Sequence, residues 1–207
     1  MVVKDASSFY LIVGLGNPGD AYDYTRHNVG FHILEHFAKK RGWIFKTVST
    51  VQGRLAQGVL KGKKVLLLLP MTYMNSSGSS VRLVIDYFKV STDNMMVISD
   101  EISLPFGALR IKPSGSSGGH NGLKSIETHL SSQIYPRMRV GVGNKTHGTL
   151  ADYVLSRLSE DEIKHSSHLF DRAVAALEVW IEEGIVKAMQ IANGRQEEKK
   201  PESNVGE

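Results

Sequence analysis

The chain reads Leu11-Ile-Val-Gly-Leu-Gly-Asn-Pro-Gly19, then Tyr22-Asp-Tyr-Thr-Arg-His-Asn28, and this stretch decides the fold. The apolar run from Phe9 to Leu15 ends in a glycine turn, as a buried strand does. Asn17-Pro18 excludes a helix immediately afterwards, because the residue before proline is pushed out of the α region. The first helix is therefore predicted to begin near His27, which leaves a polar rim between strand and helix.

The glycines in this stretch spell G-x-G-x-x-G, the fingerprint of dinucleotide-binding oxidoreductases. In that motif the pyrophosphate lies on the N-terminus of a helix that starts within the glycines. Here the helix is predicted to begin only near His27, after the last of the three glycines. The acidic residue expected about 20 positions further on would be Glu35, which falls inside a helix instead of at a strand end. The pattern therefore disfavours a nucleotide cofactor, and we predict none.

Working outward, apolar spacing and turn residues alternate strands with helices. Five further strands are predicted: Gly53–Leu60, Lys63–Leu69, Met95–Ser99, Ala108–Lys112 and a half-exposed Arg137–Val142. Four helices are predicted: one from His27 to Gly42, one through Val81 and Val84 capped by Asn75 and its neighbouring serines, one over Gly122–Leu130, and one from the capping box Ser159–Glu162 to Gly184.

These elements predict a single-domain α/β fold with a mixed, twisted β-sheet, at least one antiparallel hairpin, and helices on both faces. The domain is expected to cover residues 1–192. Residues 193–207 are polar and poor in apolar side chains, and we predict a disordered C-terminal tail there.

Composition limits the chemistry and the compartment. The 207 residues include no cysteine, which excludes disulfides, thiolate metal sites and a cysteine nucleophile. We see no signal sequence, and the longest apolar run, Val65 to Leu69, is too short to span a bilayer. We expect a soluble cytoplasmic protein. The net charge of +4 favours a polyanionic partner, although it also suits simple solubility.

The segment His32-Ile-Leu-Glu-His36 spells the H-x-x-E-H motif of some zinc proteases. On a helical wheel both histidines point away from the apolar stripe, and a solvated helix face explains them. A catalytic zinc also needs a third ligand that the sequence does not single out. We therefore predict no metal site.

Polar residues recur just past strand ends or at helix starts, where the ligand crevice of an open α/β sheet lies. They are Asn17, His27, Met74, Asn75, Asp100 and the run Gly118–Asn121. An imidazole titrates near pH 6.5 in water, which suits a general base at neutral pH, and a carboxylate can hold its tautomer and stabilise its protonated form. Asparagine side chains can hold a carbonyl, a water or a developing oxyanion. Taken singly, Asn17, Asn75 and Asn121 are better explained as ordinary turn or cap residues and His27 as a surface histidine.

The glycine- and serine-rich loop of residues 114–119 precedes a helix and is flanked by basic residues. Free backbone N–H groups at a helix start bind phosphate or carboxylate. The flanking cations are Lys112, Lys124, Arg137 and Arg139, with Arg110 as a further member of the basic strip. No aromatic RNA-binding strand signature is present, so binding would depend on phosphates and chain ends.

Together these residues resemble the bacterial-type peptidyl-tRNA hydrolases. The matching motifs keep the family's order over roughly residues 9 to 190: Leu11–Gly19, Thr25–Asn28, Pro70–Asn75 with Ser77-Gly78, Asp100 with Leu104-Pro105, Gly118–Lys124 and Arg139–Gly143.

The resemblance implies an esterase that hydrolyses the bond between a peptide and the terminal ribose of tRNA, with no metal or organic cofactor. His27 would be the base that activates water, and Asp100 would support it. Asn17 would lie beside the peptide and help require a blocked amine. The resemblance also implies roles for residues around this centre. They are Asn75 and Asn121, which orient water and substrate; Tyr22, Tyr73 and Met74, which line the site; Gly118 and His120 in the loop motif; and Lys112, Lys124, Arg137 and Arg139 as phosphate contacts.

Peptidyl-tRNA is then the expected partner of a protein that we expect to be monomeric, with no membrane and no obligatory protein partner. The main rival hypothesis is a non-catalytic tRNA- or RNA-binding protein on the same scaffold. The presence of His27 and Asp100 together with the three predicted site asparagines argues against it. These are Asn17, Asn75 and Asn121.

Overall fold

The computed structural model describes residues 9–144 and 149–194, which form one mixed sheet covered by helices. The strands are β1 (Tyr10–Gly14), β2 (Lys46–Val48), β3 (Gly53–Leu60), β4 (Lys63–Pro70), β5 (Met95–Glu101), β6 (Leu109–Lys112) and β7 (Arg137–Gly141). The helices are α1 (Val29–Arg41), α2 (Ser77–Phe88), α3 (Asn121–Leu130), α4 (Leu150–Val154), α5 (Glu160–Glu183) and α6 (Ile185–Asn193).

The seven strands run in the order β2-β3-β4-β1-β5-β7-β6. The central strand β1 is parallel to both β4 and β5, and β5 is parallel to β7. The pairs β2/β3, β3/β4 and β6/β7 are antiparallel. The predicted α/β class, the mixed sheet and the β3–β4 hairpin are confirmed. Because β1, β4 and β5 are parallel, their carboxyl ends reach the same edge of the sheet.

Helices cover both faces of the sheet, as predicted. One core packs residues of α1, α5 and α6 against the sheet, with Phe37, Leu177 and Trp180 among its buried members. The other packs α2 and α3 through residues such as Val81, Val84 and Ile126. The nearly unbroken apolar runs of β1 and β4 follow from this arrangement, since both faces of these strands are buried.

The glycines of the opening stretch serve packing and turning, as the delayed helix suggested. A Cβ on Gly14 would lie 2.3 Å from the carbonyl oxygen of Gly30, so the absence of a side chain lets α1 cross directly over β1. Gly19 has φ +104°, a conformation that an L side chain rarely adopts, and it turns the chain before the 3-10 turn Asp20–Tyr22. A second 3-10 turn, Arg26–Asn28, leads into α1.

Helix ends follow the predicted chemistry in three of four cases. Gly42 ends α1 in the left-handed conformation, Ser159 with Glu162 forms the capping box that opens α5, and Gly184 ends α5. At α2, however, the N-cap residue is Ser76 and no side chain caps the helix. Asn75 is therefore free to face the site described below.

One predicted exposure and one predicted boundary were wrong. The strand Arg137–Gly141 is not half-exposed: it lies between β5 and β6, and Arg137 has no exposed surface. Asn193 does not begin a tail: it is the last residue of α6, and its side-chain amide exchanges two hydrogen bonds, of 2.7 and 3.0 Å, with the backbone of Ile111 on the edge strand β6. The rest of the predicted tail, residues 195–207, lies outside the described residues.

Three short elements, β2, α4 and α6, had no counterpart among the predictions. Each has few residues: three, five and nine respectively. Short elements give little periodic signal, because a period needs several turns or alternations to be recognised.

Candidate active site

The carboxyl ends of the central parallel strands open into a cavity of about 450 Å³. This is where an open α/β sheet binds its ligands. Ten of the site residues predicted from the sequence line it: Asn17, His27, Tyr73, Met74, Asn75, Asp100, Gly118, His120, Asn121 and Arg139.

His27 and Asp100 meet in the cavity wall. His27 lies in the 3-10 turn before α1 and Asp100 near the end of β5, and their Nδ1 and Oδ1 atoms are 2.7 Å apart. The two side chains are only 10% and 3% exposed. An ionised carboxylate can only accept, so Nδ1 of His27 donates and its Nε2 carries the lone pair. This is the tautomer that a general base requires.

A second histidine shares the same carboxylate oxygen. Nε2 of His120 lies 2.9 Å from Oδ1 of Asp100, and its ring centroid lies 4.9 Å from that of His27. Nδ1 of His120 accepts hydrogen bonds from the backbone N–H groups of Gly122 and Leu123, at 3.1 and 3.3 Å, and so caps α3. A nitrogen that accepts carries no proton. The hydrogen bonds thus hold His120 as the neutral Nε2–H tautomer, donating to Asp100.

The pKa of Asp100 reflects two opposing effects. Burial raises it, and this is the largest single effect, but the adjacent imidazoles of His120 and then His27 lower it through electrostatic attraction and hydrogen bonding. The balance holds the pKa of Asp100 well below its ordinary value of 3.8. Asp100 is therefore a buried anion at neutral pH, satisfied by two donors.

This lowered pKa predicts an acid-dependent contribution to stability. Since the folded pKa lies below the unfolded one, ionised Asp100 stabilises the protein above the unfolded value of about 4, and this contribution is lost as the pH falls towards the folded value. We expect the free energy of unfolding of wild type to exceed that of Asp100→Asn at pH 7, and the difference to shrink below about pH 4. Urea titrations of both proteins from pH 7 to pH 3 measure it. A difference that stays constant with pH would contradict the prediction.

Asn17 is held in one orientation by three hydrogen bonds. Its Oδ1 accepts from the backbone N–H of Met74 at 2.8 Å. Its backbone N–H and C=O pair with Oδ1 and Nδ2 of Asn28, at 2.8 and 3.0 Å. Because its oxygen is occupied, Asn17 can offer only its Nδ2 donors to a ligand. Asn28, whose role the sequence did not reveal, is the residue that fixes this loop.

The remaining predicted binding residues fall into two groups. Asn75 and Asn121 are exposed in the cavity wall, and neither side chain makes a hydrogen bond to the described residues. Tyr73 is 63% exposed at the rim. Tyr22 lies just outside the lining and contacts Tyr73 edge-on, with ring centroids 6.4 Å apart.

The basic residues differ in what they can reach. Arg137 is completely buried, and its guanidinium donates to the carbonyls of Ser116 and Gln133, at 3.1 and 3.0 Å, so the interpretation of Arg137 as a phosphate contact does not fit the structure. Arg139 lines the cavity, pairs with Glu101 and also donates to the Ser116 carbonyl, at 2.8 Å. Lys112 and Lys124 are exposed outside the cavity.

Among residues 9–144 and 149–194, one group of side chains is close enough to hold a metal ion: His27, Asp100 and His120, whose ligand-type atoms lie within 4.8 Å of one another. Both histidines already hydrogen-bond to the carboxylate oxygen, so a metal would replace both bonds. The arrangement favours proton transfer over metal binding.

The helical wheel predicted a solvated face for His32 and His36, and this prediction was wrong. Both histidines face α5: His36 lies 3.0 Å from Asp171, and His32 is only 15% exposed and stacks on Phe170.

The sequence did not predict one part of the cavity lining. Leu150, Ala151, Val154 and Leu155, on and just after α4, line the cavity. The signal for α4 was present in the sequence, because Thr149 and Asp152 form a capping box.

In the part of the chain that the structure describes, no helix is long and apolar enough to cross a bilayer.

Fold and cavity together define a single-domain α/β protein with a buried histidine–aspartate pair in a cleft at the carboxyl ends of its parallel strands. The family described as Peptidyl-tRNA hydrolase matches residues 11–201. The chain belongs to this family. It is 45% identical to the peptidyl-tRNA hydrolase of Clostridium acetobutylicum over 185 residues, which cover 89% of this chain and 98% of that protein.

Two further comparisons agree. The peptidyl-tRNA hydrolase of Levilactobacillus brevis is 43% identical over 171 residues, covering 83% of this chain and 92% of that protein. The crystal structure of peptidyl-tRNA hydrolase from Acinetobacter baumannii has a TM-score of 0.85 to this fold at 34% identity, covering 91% of this chain and 96% of that chain.

Proposed function

We propose that this protein hydrolyses the ester bond between an N-blocked peptide and the 3′-terminal ribose of tRNA, in the cytoplasm and as a monomer, and so recycles tRNA from aborted translation. Family membership supports the substrate. The observation that carries the mechanism is the buried His27–Asp100 pair, 2.7 Å apart, with the second nitrogen of His27 available at the cavity.

In this mechanism Nε2 of His27 takes a proton from a water molecule as its oxygen attacks the ester carbonyl carbon. The C–O bond to the ribose then breaks, and the imidazolium returns the proton to the departing ribose oxygen. The products are a free 3′ end and a peptide carboxylic acid, which ionises to the carboxylate by releasing its proton to solvent. Asp100 holds the required tautomer and stabilises the imidazolium while it exists. His120, which donates to the same oxygen, keeps this buried anion satisfied.

Asn75 and Asn121 are assigned to the water and the reacting carbonyl. Both line the cavity near His27, and neither amide is engaged by the described residues. Neutral donors aimed at the carbonyl oxygen stabilise the negative charge that develops there in the transition state. Water and ester would thus be held between two amides and one imidazole.

Asn17 would select for the blocked amine. Its oxygen is occupied by the Met74 N–H, so only donors face the substrate. The acyl carbonyl of a blocked amine can accept such a hydrogen bond, whereas a free ammonium has donors only. A donor facing an ammonium leaves both unpaired, which is costly in a buried site.

Asn17→Asp tests this assignment. The carboxylate keeps an oxygen for the Met74 N–H but presents an acceptor to the substrate. We expect the ratio of kcat/KM for N-acetyl-aminoacyl-tRNA over free aminoacyl-tRNA to fall by about tenfold or more. Asn75→Asp is the matched control, since it adds the same charge to the same cavity, and it should lower the rate while leaving that ratio unchanged. An unchanged ratio in Asn17→Asp would remove Asn17 from amine selection.

Arg139, Lys112 and Lys124 are proposed to contact tRNA phosphates. Arg139 lines the cavity and the two lysines are exposed near the loop that leads into α3. Phosphate contacts should make the affinity for tRNA fall steeply with salt concentration. Arg137 is left out of this set because its side chain is buried.

The direct experiment measures release of labelled N-acetyl-amino acid from tRNA by the purified protein, with and without a strong chelator. We expect turnover in both conditions. Loss of activity with chelator would instead indicate a metal at His27, Asp100 and His120. Binding of tRNA without turnover would favour the rival, a non-catalytic RNA-binding protein.

A further inference from the structure

The cavity wall formed by α4 is contacted from behind by one arginine, Arg26. α4 spans only five residues, Leu150–Val154, and its cavity side presents Leu150, Ala151 and Val154. On its other side Tyr153 lies under the guanidinium of Arg26, whose central carbon is 4.8 Å from the ring centroid. The Tyr153 hydroxyl donates to the carbonyl of Val142, at 2.9 Å. Arg26 therefore contacts the face of α4 opposite the cavity.

Arg26 also holds the start of α5. Its two terminal nitrogens lie 3.0 and 2.9 Å from Oε2 of Glu162, and these side chains are only 11% and 17% exposed. The same carboxylate oxygen accepts the N–H of Ser159 at 2.7 Å, which caps α5. One carboxylate thus joins Arg26 to the helix start, in a setting where a charged hydrogen bond is only partly screened by water.

Backbone hydrogen bonds also join the Arg26 segment to the segment between α4 and α5. The N–H of Arg26 donates to the carbonyl of Ser156, at 3.1 Å, and the N–H of Leu158 donates to the carbonyl of Tyr24, at 2.9 Å. The segment between α4 and α5 is therefore paired with the segment that ends at the catalytic base. The next residue along the chain is His27.

We propose that Arg26 is a positioning residue: through Glu162 and Tyr153 it sets the distance between the α4 wall and His27, and so the fit of the peptide part of the substrate. We call the contact of Arg26 with Glu162 and Tyr153 the brace. The inference rests on the proposed function for its substrate. It assigns Arg26 no contact with the reacting atoms, because its donors are turned away from the cavity, towards Glu162.

Arg26→Met tests the brace, since methionine keeps an apolar stem over Tyr153 but loses the ion pair. We expect KM for N-acetyl-aminoacyl-tRNA to rise about tenfold while kcat stays within about threefold, the signature of weakened ground-state and transition-state binding alike. The pH profile of kcat should not move, because the His27–Asp100 pair is untouched. Arg157→Met is the matched control. It removes the same positive charge from an exposed side chain that lies opposite the Arg26 segment, in the segment between α4 and α5.

A double-mutant cycle separates the brace from a direct substrate contact. Glu162→Gln removes the charge but keeps an oxygen for the Ser159 N–H, so α5 remains capped. If Arg26 acts through Glu162, the double variant should be no worse than Arg26→Met alone. Additive increases in KM would mean that Arg26 acts on the substrate itself, and would overturn the proposal, as would a KM unchanged in Arg26→Met.

Hydrogen exchange provides a readout that does not depend on activity. Backbone amides of residues 150–158 should exchange faster in Arg26→Met than in wild type, while those of α2 should not change. Unchanged exchange over residues 150–158 would overturn the brace even if wild type proved active. Conversely, faster exchange in a protein whose wild type cannot hydrolyse the ester would support the brace and reject the proposed function.

Discussion

His27→Ala should reduce kcat on N-acetyl-aminoacyl-tRNA by about 10³-fold or more, because a positioned general base contributes roughly 10² to 10⁴ and none of the described residues is placed as a second base. His120 cannot take over, since its Nδ1 accepts the N–H groups of Gly122 and Leu123 and its Nε2 donates to Asp100. Single-turnover hydrolysis measures the chemical step directly.

The binding of tRNA separates catalysis from misfolding in this variant. Affinity for deacylated tRNA should stay within about threefold of wild type, because phosphate contacts dominate such binding. His165→Ala is the matched control, since that histidine is 69% exposed on α5 and lies outside the cavity lining. Activity near wild type in His27→Ala would exclude His27 as the base, and a parallel loss of tRNA binding would indicate a structural role.

Asp100→Asn should have the next largest effect, lowering kcat by about 10² to 10³. An asparagine oxygen can still accept the N–H groups of His27 and His120, so the geometry is kept while the charge is lost. Without that anion, the imidazolium formed during water activation is less stable. The pH–rate profile should therefore move and its plateau should fall.

The chain contains a matched control for this change. His36 and Asp171 form a second histidine–aspartate pair, 3.0 Å apart, on α1 and α5 and outside the cavity. Asp171→Asn makes the same substitution in that pair and should leave both kcat and the pH profile unchanged. If Asp100→Asn behaves like Asp171→Asn, Asp100 has no part in the reaction. If Asp100→Asn and Asp171→Asn lower the rate by the same factor, the loss of rate comes from the change in net charge or from impaired folding, and not from the catalytic site.

Several site predictions could be made from sequence because local patterns report where strands and helices end. The delayed helix after Pro18 indicated that Asn17 and His27 lie on loops, and Asp100 directly follows the apolar run Met95–Ser99 in the sequence. Residue type then limited the chemistry: imidazole, carboxylate and amide at the carboxyl edge of a sheet. The cavity does bring these side chains together.

Other features could not be predicted, since local pattern does not report which side chains meet. Arg137 and Arg139 are two residues apart on one strand, yet one is fully buried beneath the 114–119 loop and the other lines the cavity. Their contacts account for this difference: Arg137 donates to the carbonyls of Ser116 and Gln133, whereas Arg139 pairs with Glu101 at the cavity. The histidines of the H-x-x-E-H segment likewise face α5, a helix more than 120 residues further along the chain.

By itself, the sequence determined the order of the elements, the delayed first helix and the residue types available at the strand ends, because backbone preferences and apolar periodicity act over a few residues. Only the tertiary structure decided that His27 and His120 share one oxygen of Asp100, from positions 73 and 20 residues away, and that Arg26 reaches Glu162 across 136 residues. Such pairings depend on the register and packing of distant elements. The opening stretch delivers His27 to the cavity, but the carboxylate, the second histidine and the brace all come from elsewhere in the chain.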